Sequence, residues 1–102
     1  MDNRTIKQYR TIGHRLSPVV IIANGLSENI NTEIIRALND HELIKVRVNA
    51  NDRDEKKALI EKICKNANAE LVQLIGHVAL LYKAARTPNP KLSNLLRHKE
   101  LI

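Results

Sequence analysis

Pro18-Val19-Val20-Ile21-Ile22-Ala23-Asn24-Gly25-Leu26-Ser27 is the stretch on which the fold turns. Its first five residues, apolar and mostly β-branched, read as a buried strand. Pro18 can start such a strand but cannot sit inside a central one. Ala23-Asn24-Gly25 then makes a turn. Ser27 suits the N-cap of a following helix, with Glu28 in the first turn, where negative charge is favoured. A strand that turns through a glycine into a helix N-terminus aims several unpaired backbone N–H groups at one point. That is a cradle for an anion, most often a phosphate.

Toward the C-terminus, Ile30, Ile34 and Leu38 recur every four residues, with Ile35 and Ala37 widening the stripe, so an amphipathic helix is expected to end near Asn39-Asp40. Leu43 to Val48 alternates strictly and predicts a strand with Ile44, Val46 and Val48 on one side and Lys45 and Arg47 on the other. Asp52-x-x-Glu55 has the spacing of a capping box variant. The helix it opens carries Leu59, Ile60, Ile63, Cys64 and Ala67 on one side. Leu71 to Ile75 and Val78 to Tyr82 read as strands joined by a tight hairpin at Gly76-His77. Toward the N-terminus, Ile6, Tyr9 and Ile12 sit at helical spacing, with Gly13 as a C-terminal stop.

The predicted order is α-β-α-β-α-β-β, an α/β (α+β) chain with a four-stranded mixed sheet covered by helices. Each strand–helix–strand crossover is expected to give a parallel pair, and the closing hairpin an antiparallel one. At 102 residues the chain is read as one domain over 1–84. Residues 85–102 then form a basic C-terminal tail. In it Thr87-Pro88-Asn89-Pro90 is an extended linker, and Leu92, Leu95 and Leu96 can form a turn or two of helix.

Charge is concentrated at the two ends. Residues 1–17 hold four basic side chains against one acidic, residues 83–102 five against one, and the middle is near neutral within an overall +6. Such a distribution attracts polyanions over distance. No apolar run approaches the roughly 18 residues of a membrane span. Met1-Asp2-Asn3-Arg4 lacks the apolar stretch of a secretion signal. With the single Cys64 unable to close an internal disulfide, a cytoplasmic location is expected.

Leu16-Ser17-Pro18-Val19, Asn24-Gly25-Leu26, Glu42-Leu43-Ile44-Lys45-Val46, and Ile75-Gly76 with Leu81-Tyr82-Lys83 together resemble the CRM (chloroplast RNA splicing and ribosome maturation) domain, in its stand-alone bacterial YhbY-type form. The resemblance runs from about Thr5 to Lys83. It implies a fold similar to the C-terminal domain of translation initiation factor three, RNA binding, and in bacteria association with precursors of the large ribosomal subunit. The family's loop carries Gly-x-x-Gly. Here Gly25 matches the second glycine, Ile22 stands three residues before it, the loop is one residue short, and Ala23 is the nearest substitute for the first.

The candidate RNA-binding residues are the loop itself (Ala23, Asn24, Gly25, Leu26, Ser27), the cationic group around the first helix (Lys7, Arg10, His14, Arg15) and the strand cations Lys45 and Arg47. Lys56, Lys57 and Lys62 share their helix with Asp54, Glu55 and Glu61, so a solvated, internally paired surface is the simpler reading there. With only Tyr9 and Tyr82 as aromatics, the chain cannot build the stacking platform of single-strand readers. Backbone shape and phosphates, rather than bases, are then what it reads. The four histidines lack metal-ligand spacing, Cys64 falls on an apolar helix side, and no lysine follows Gly25 as in a P-loop. The chain is therefore read as a non-enzymatic, monomeric RNA-binding protein assisting large-subunit assembly, with precursor rRNA as its partner. No cofactor, metal, membrane or small-molecule substrate is expected. The alternative is a protein-interaction adaptor that docks through the apolar tail residues Leu92, Leu95, Leu96, Leu101 and Ile102.

Overall fold

Asp2 opens the first helix, α1 (Asn3–Gly13), by accepting the Thr5 N–H at 2.8 Å. This is the start of a computed structural model that describes residues 1–23, 25–98 and 100. The order continues with β1 (Pro18–Ile22), α2 (Glu28–His41), β2 (Leu43–Val48), α3 (Arg53–Ala67), β3 (Glu70–Ile75), β4 (Val78–Tyr82) and the single turn α4 (Asn94–Arg97). Caps fall where the side chains call for them. Ser27 accepts from the Ile30 N–H, and Asp52 from the Glu55 N–H. The Glu55 carboxylate reaches back to the Asn51 N–H, one residue ahead of the usual capping-box partner.

The strands form one mixed sheet in the order β1-β2-β4-β3. β1 and β2 are parallel, and β4 lies antiparallel between β2 and β3. The α3 crossover thus returns β3 in the direction of β2 but one position further out, and the hairpin folds β4 back into the gap. The expectation that each crossover makes a neighbouring parallel pair holds for the first and fails for the second.

α2 and α3 cover one face, where Ile34, Leu38, Ile60 and Ile63 meet Val20, Ile22, Ile44, Val46, Val48 and Leu81. α1 and the tail lie on the other, where Ile12, Leu43, Val72 and Leu80 are buried with Ile6, Tyr9, Tyr82 and Leu95 against them. The second cover is incomplete. β1 is an edge strand, and Val19 and Ile21 stay 50% and 59% exposed, so the strand read as buried throughout is buried only at Val20 and Ile22.

Two helix ends carry more than the sequence spacing shows. α1 does end on Gly13, but with a helical backbone and not a left-handed cap, and a Cβ there would lie 2.7 Å from Leu80 Cδ2. Its missing side chain lets α1 settle against β4. α2 runs on to His41 and ends on Glu42, whose φ of 63° is costly for a residue with a side chain. The compensation is visible. Glu42 is buried, and its carboxyl accepts the Ala85 N–H at 3.0 Å and the Ser93 hydroxyl at 2.7 Å.

Candidate nucleic-acid interface

β1 ends on buried Ile22, whose carbonyl accepts the Asn49 N–H at 2.9 Å, so the loop leaves the sheet from a fixed point. Ala23 is exposed, and Asn24 lies outside the described residues. Gly25 takes φ +82°, and nothing stands within 4 Å of where a Cβ would be. Glycine is required here by the backbone, not by crowding, and the space beside it is open to an incoming group. Leu26 anchors the far side of the loop by packing on the α2/α3 core, and Ser27 caps α2. The sequence-predicted cradle thus combines an open glycine with a held helix N-terminus. Glu28, in the first turn, shares that positive end with any bound anion.

The predicted cations separate into three places. Arg47 is exposed beside Ile21 near the loop end of β1, and its Nε donates to Asn49 Oδ1 at 3.4 Å. Lys45 pairs with Pro18 at the opposite end of β1. The strand rise puts that end about 13 Å from the loop. Lys45 borders two neighbouring grooves. One, about 330 Å³, has His14, Gln73 and Ile75 in its wall; the other, about 310 Å³, has Arg15, Ser17 and Arg97. Lys7 and Arg10 line a shallow recess with Asn3, Arg4 and Ile6 along α1. The fold therefore gathers His14, Arg15 and Lys45, sets Arg47 between them and the loop, and leaves Lys7 and Arg10 on separate ground. Arg97 is missed by sequence reasoning. The basic tail is plain to see, but no spacing ties residue 97 to residue 15.

The CRS1/YhbY (CRM) domain model matches residues 1–83, which is most of the chain. The protein belongs to the CRM domain family. A Pseudomonas aeruginosa protein named a probable RNA-binding protein is 49% identical over 92 residues, spanning 89% of this chain and 88% of its own. A Haemophilus influenzae protein named as RNA-binding is 46% identical over 79 residues, 76% of this chain and 80% of its own. The solution structure of SAV1595 from Staphylococcus aureus, a candidate RNA-binding protein, superposes with a TM-score of 0.75 at 31% identity. That match covers 91% of this chain and 97% of the other. The α+β fold with its mixed sheet is thus the fold of this relative, and the relatives above carry names as RNA-binding or probable RNA-binding proteins.

Within this CRM domain both aromatic rings are spent on packing. Tyr9 and Tyr82 stack with centroids 4.9 Å apart and planes tilted by 45°, against the α1-side cluster. Burial, with the Tyr82 ring alongside, pushes the Tyr9 hydroxyl up to about 12. Burial also raises the Cys64 thiol, which keeps it in the less nucleophilic protonated form. Among the described residues no three His, Cys, Asp or Glu side chains gather as a metal site. His41 and His98 both line the second groove, but His41 Nδ1 bonds to the Leu92 carbonyl at 2.8 Å. No described helix is long and apolar enough to cross a membrane.

Proposed function

We propose that this CRM protein binds precursor rRNA of the large ribosomal subunit and assists its assembly, acting as a monomer without catalysis, cofactor or small-molecule substrate. The observation that carries the binding mode is Gly25: a left-handed glycine with open space around it, immediately before a capped helix of 14 residues. A sugar–phosphate backbone can approach main-chain N–H groups there where a side chain would hold it off. Arg47, Lys45, Arg15 and His14 extend the attraction along β1. Family membership supports RNA as the ligand, and the resemblance to YhbY-type proteins supports the ribosomal target. With no exposed aromatic platform, recognition rests on backbone shape, for which a folded transcript is the natural partner.

Sedimentation of a cell lysate at low and high salt tests the target. The protein is expected to travel with particles lighter than mature large subunits at low salt and to leave them at high salt. Migration at the top of the gradient in both conditions, or association that survives ribonuclease, overturns the reading.

A further inference from the structure

The segment after residue 83 lies beyond the CRM match, yet the structure anchors it firmly. Ser93 and Asn94 are 0% and 7% exposed. The Ser93 hydroxyl donates to Glu42, Asn94 Nδ2 donates to the Leu43 carbonyl at 2.7 Å, and Leu95 packs on the α1-side core. A four-residue helix does not persist by itself in water. α4 exists because these contacts hold it. What they hold it against is the groove with Arg15, Ser17 and Lys45, to which the tail adds Arg97 and His98.

The electrostatics of that groove are one-sided. Arg15 comes from the α1–β1 connection, Lys45 from β2 and Arg97 from α4, and no carboxylate is among the lining residues. The ion pairs among the described residues lie elsewhere or spare these three: the Met1 ammonium with Glu70 at 4.0 Å, and His98 with Glu100 at 3.9 Å. Arg15, Lys45 and Arg97 thus line one groove with no carboxylate paired to any of them among the described residues, Glu100 being paired with His98, and these three cations attract an external anion. Ser17 adds a hydroxyl donor at the groove's edge. We propose that the C-terminal segment completes a second phosphate-binding site, in which Arg97 joins Arg15 and Lys45 on the backbone of the RNA that the Gly25 loop also holds. This deepens the proposed function and rests on it. The loop and the groove sit at opposite ends of β1, with Arg47 between, so one strand of RNA can touch both.

Filter binding of the full chain to transcribed large-subunit rRNA, across about 50 to 200 mM salt, tests the site. Arg97→Gln is expected to flatten the log-affinity against log-salt slope by about one unit. Lys91→Gln, an exposed tail cation outside the groove, is expected to leave it unchanged. Asn94→Ala, which unfastens α4, should reproduce the Arg97→Gln slope while thermal unfolding stays cooperative. Parental binding by Arg97→Gln overturns the site and spares the RNA reading. Equal losses from Arg97→Gln and Lys91→Gln overturn it too, since tail charge alone then accounts for the effect. If the parent chain itself fails to bind rRNA, both proposals fall together.

Discussion

On the α2/α3 side of the sheet, the inward residues of β1, β2 and β4 are all buried and apolar. On the α1/α4 side, the first two strands carry Ile21, Lys45 and Arg47, which stand partly or fully open, and Ile75 of β3 is 61% exposed. The difference follows from the covering helices. α2 and α3 have 14 and 15 residues, whereas α1 has 11 and α4 a single turn. One side is closed tightly enough to hold the fold together. The other has ground left over for cations and grooves, so the packing that holds the fold and most of the open cationic surface lie on opposite faces, with the Gly25 turn at the edge of the closed one.

The sharpest way to break this division is to truncate apolar residues on both sides. Leu38→Ala on the closed side is expected to cost about 2–5 kcal/mol. Ile75→Ala on the open side should stay within about 0.5 kcal/mol. Urea unfolding of the two variants decides the matter, and equal losses would dissolve the distinction. Next in size is Glu42→Ala, which leaves the Ala85 N–H and the buried Ser93 hydroxyl without their acceptor. A loss of about 1–3 kcal/mol is expected by the same measurement.

Gly25→Val sharpens the comparison from the binding side. A β-branched residue at φ +82° costs about 1–2 kcal/mol in backbone strain, with no clash because the space is open. Unfolding should remain cooperative while rRNA affinity falls by about tenfold, the loss of roughly one charge-assisted hydrogen bond. Unchanged affinity would remove the loop from the interface. The smallest effect concerns pH. The Tyr9 hydroxyl is raised in the folded state from its ordinary value of 10.0 to about 12. Its contribution is therefore fully present below pH 10 and lost as pH climbs toward 12. Tyr9→Phe should flatten that alkaline decline in a thermal-stability profile.

Much of this was legible because it is local. Ile30, Ile34 and Leu38 announce a helix by spacing alone, and Ile44, Val46 and Val48 announce a strand and its buried side. Ser27 and Asp52 mark helix starts through hydrogen bonds to residues three positions on. What escapes is set by partners distant in sequence. Nothing in Val78–Tyr82 says that β4 will slip between β2 and β3, since a hairpin can close on either edge. Val19 and Ile21 look as buried as Val20, because β1 becomes an edge strand only once the sheet order exists. Gly13 reads as the end of α1, and it is, but that Leu80 presses against it is not legible from the sequence. Among the candidate site residues, the Gly25 turn stands out from its own neighbourhood, whereas Arg97 comes to line a groove with Arg15 and Lys45 only through the contacts of Ser93 and Asn94.

The two oxygens of the Glu42 carboxyl hold Ala85 and Ser93 respectively, so the intervening residues form a loop clasped at both ends by a single side chain. Lengthening a loop whose ends are already fixed is entropically mild, about 0.6 kcal/mol for each doubling. The exposed Thr87-Pro88 stretch, ahead of the turn in which Asn89 accepts from the Lys91, Leu92 and Ser93 N–H groups, is therefore where this small protein can accept an inserted peptide tag or reporter, leaving the sheet and the Gly25 turn undisturbed.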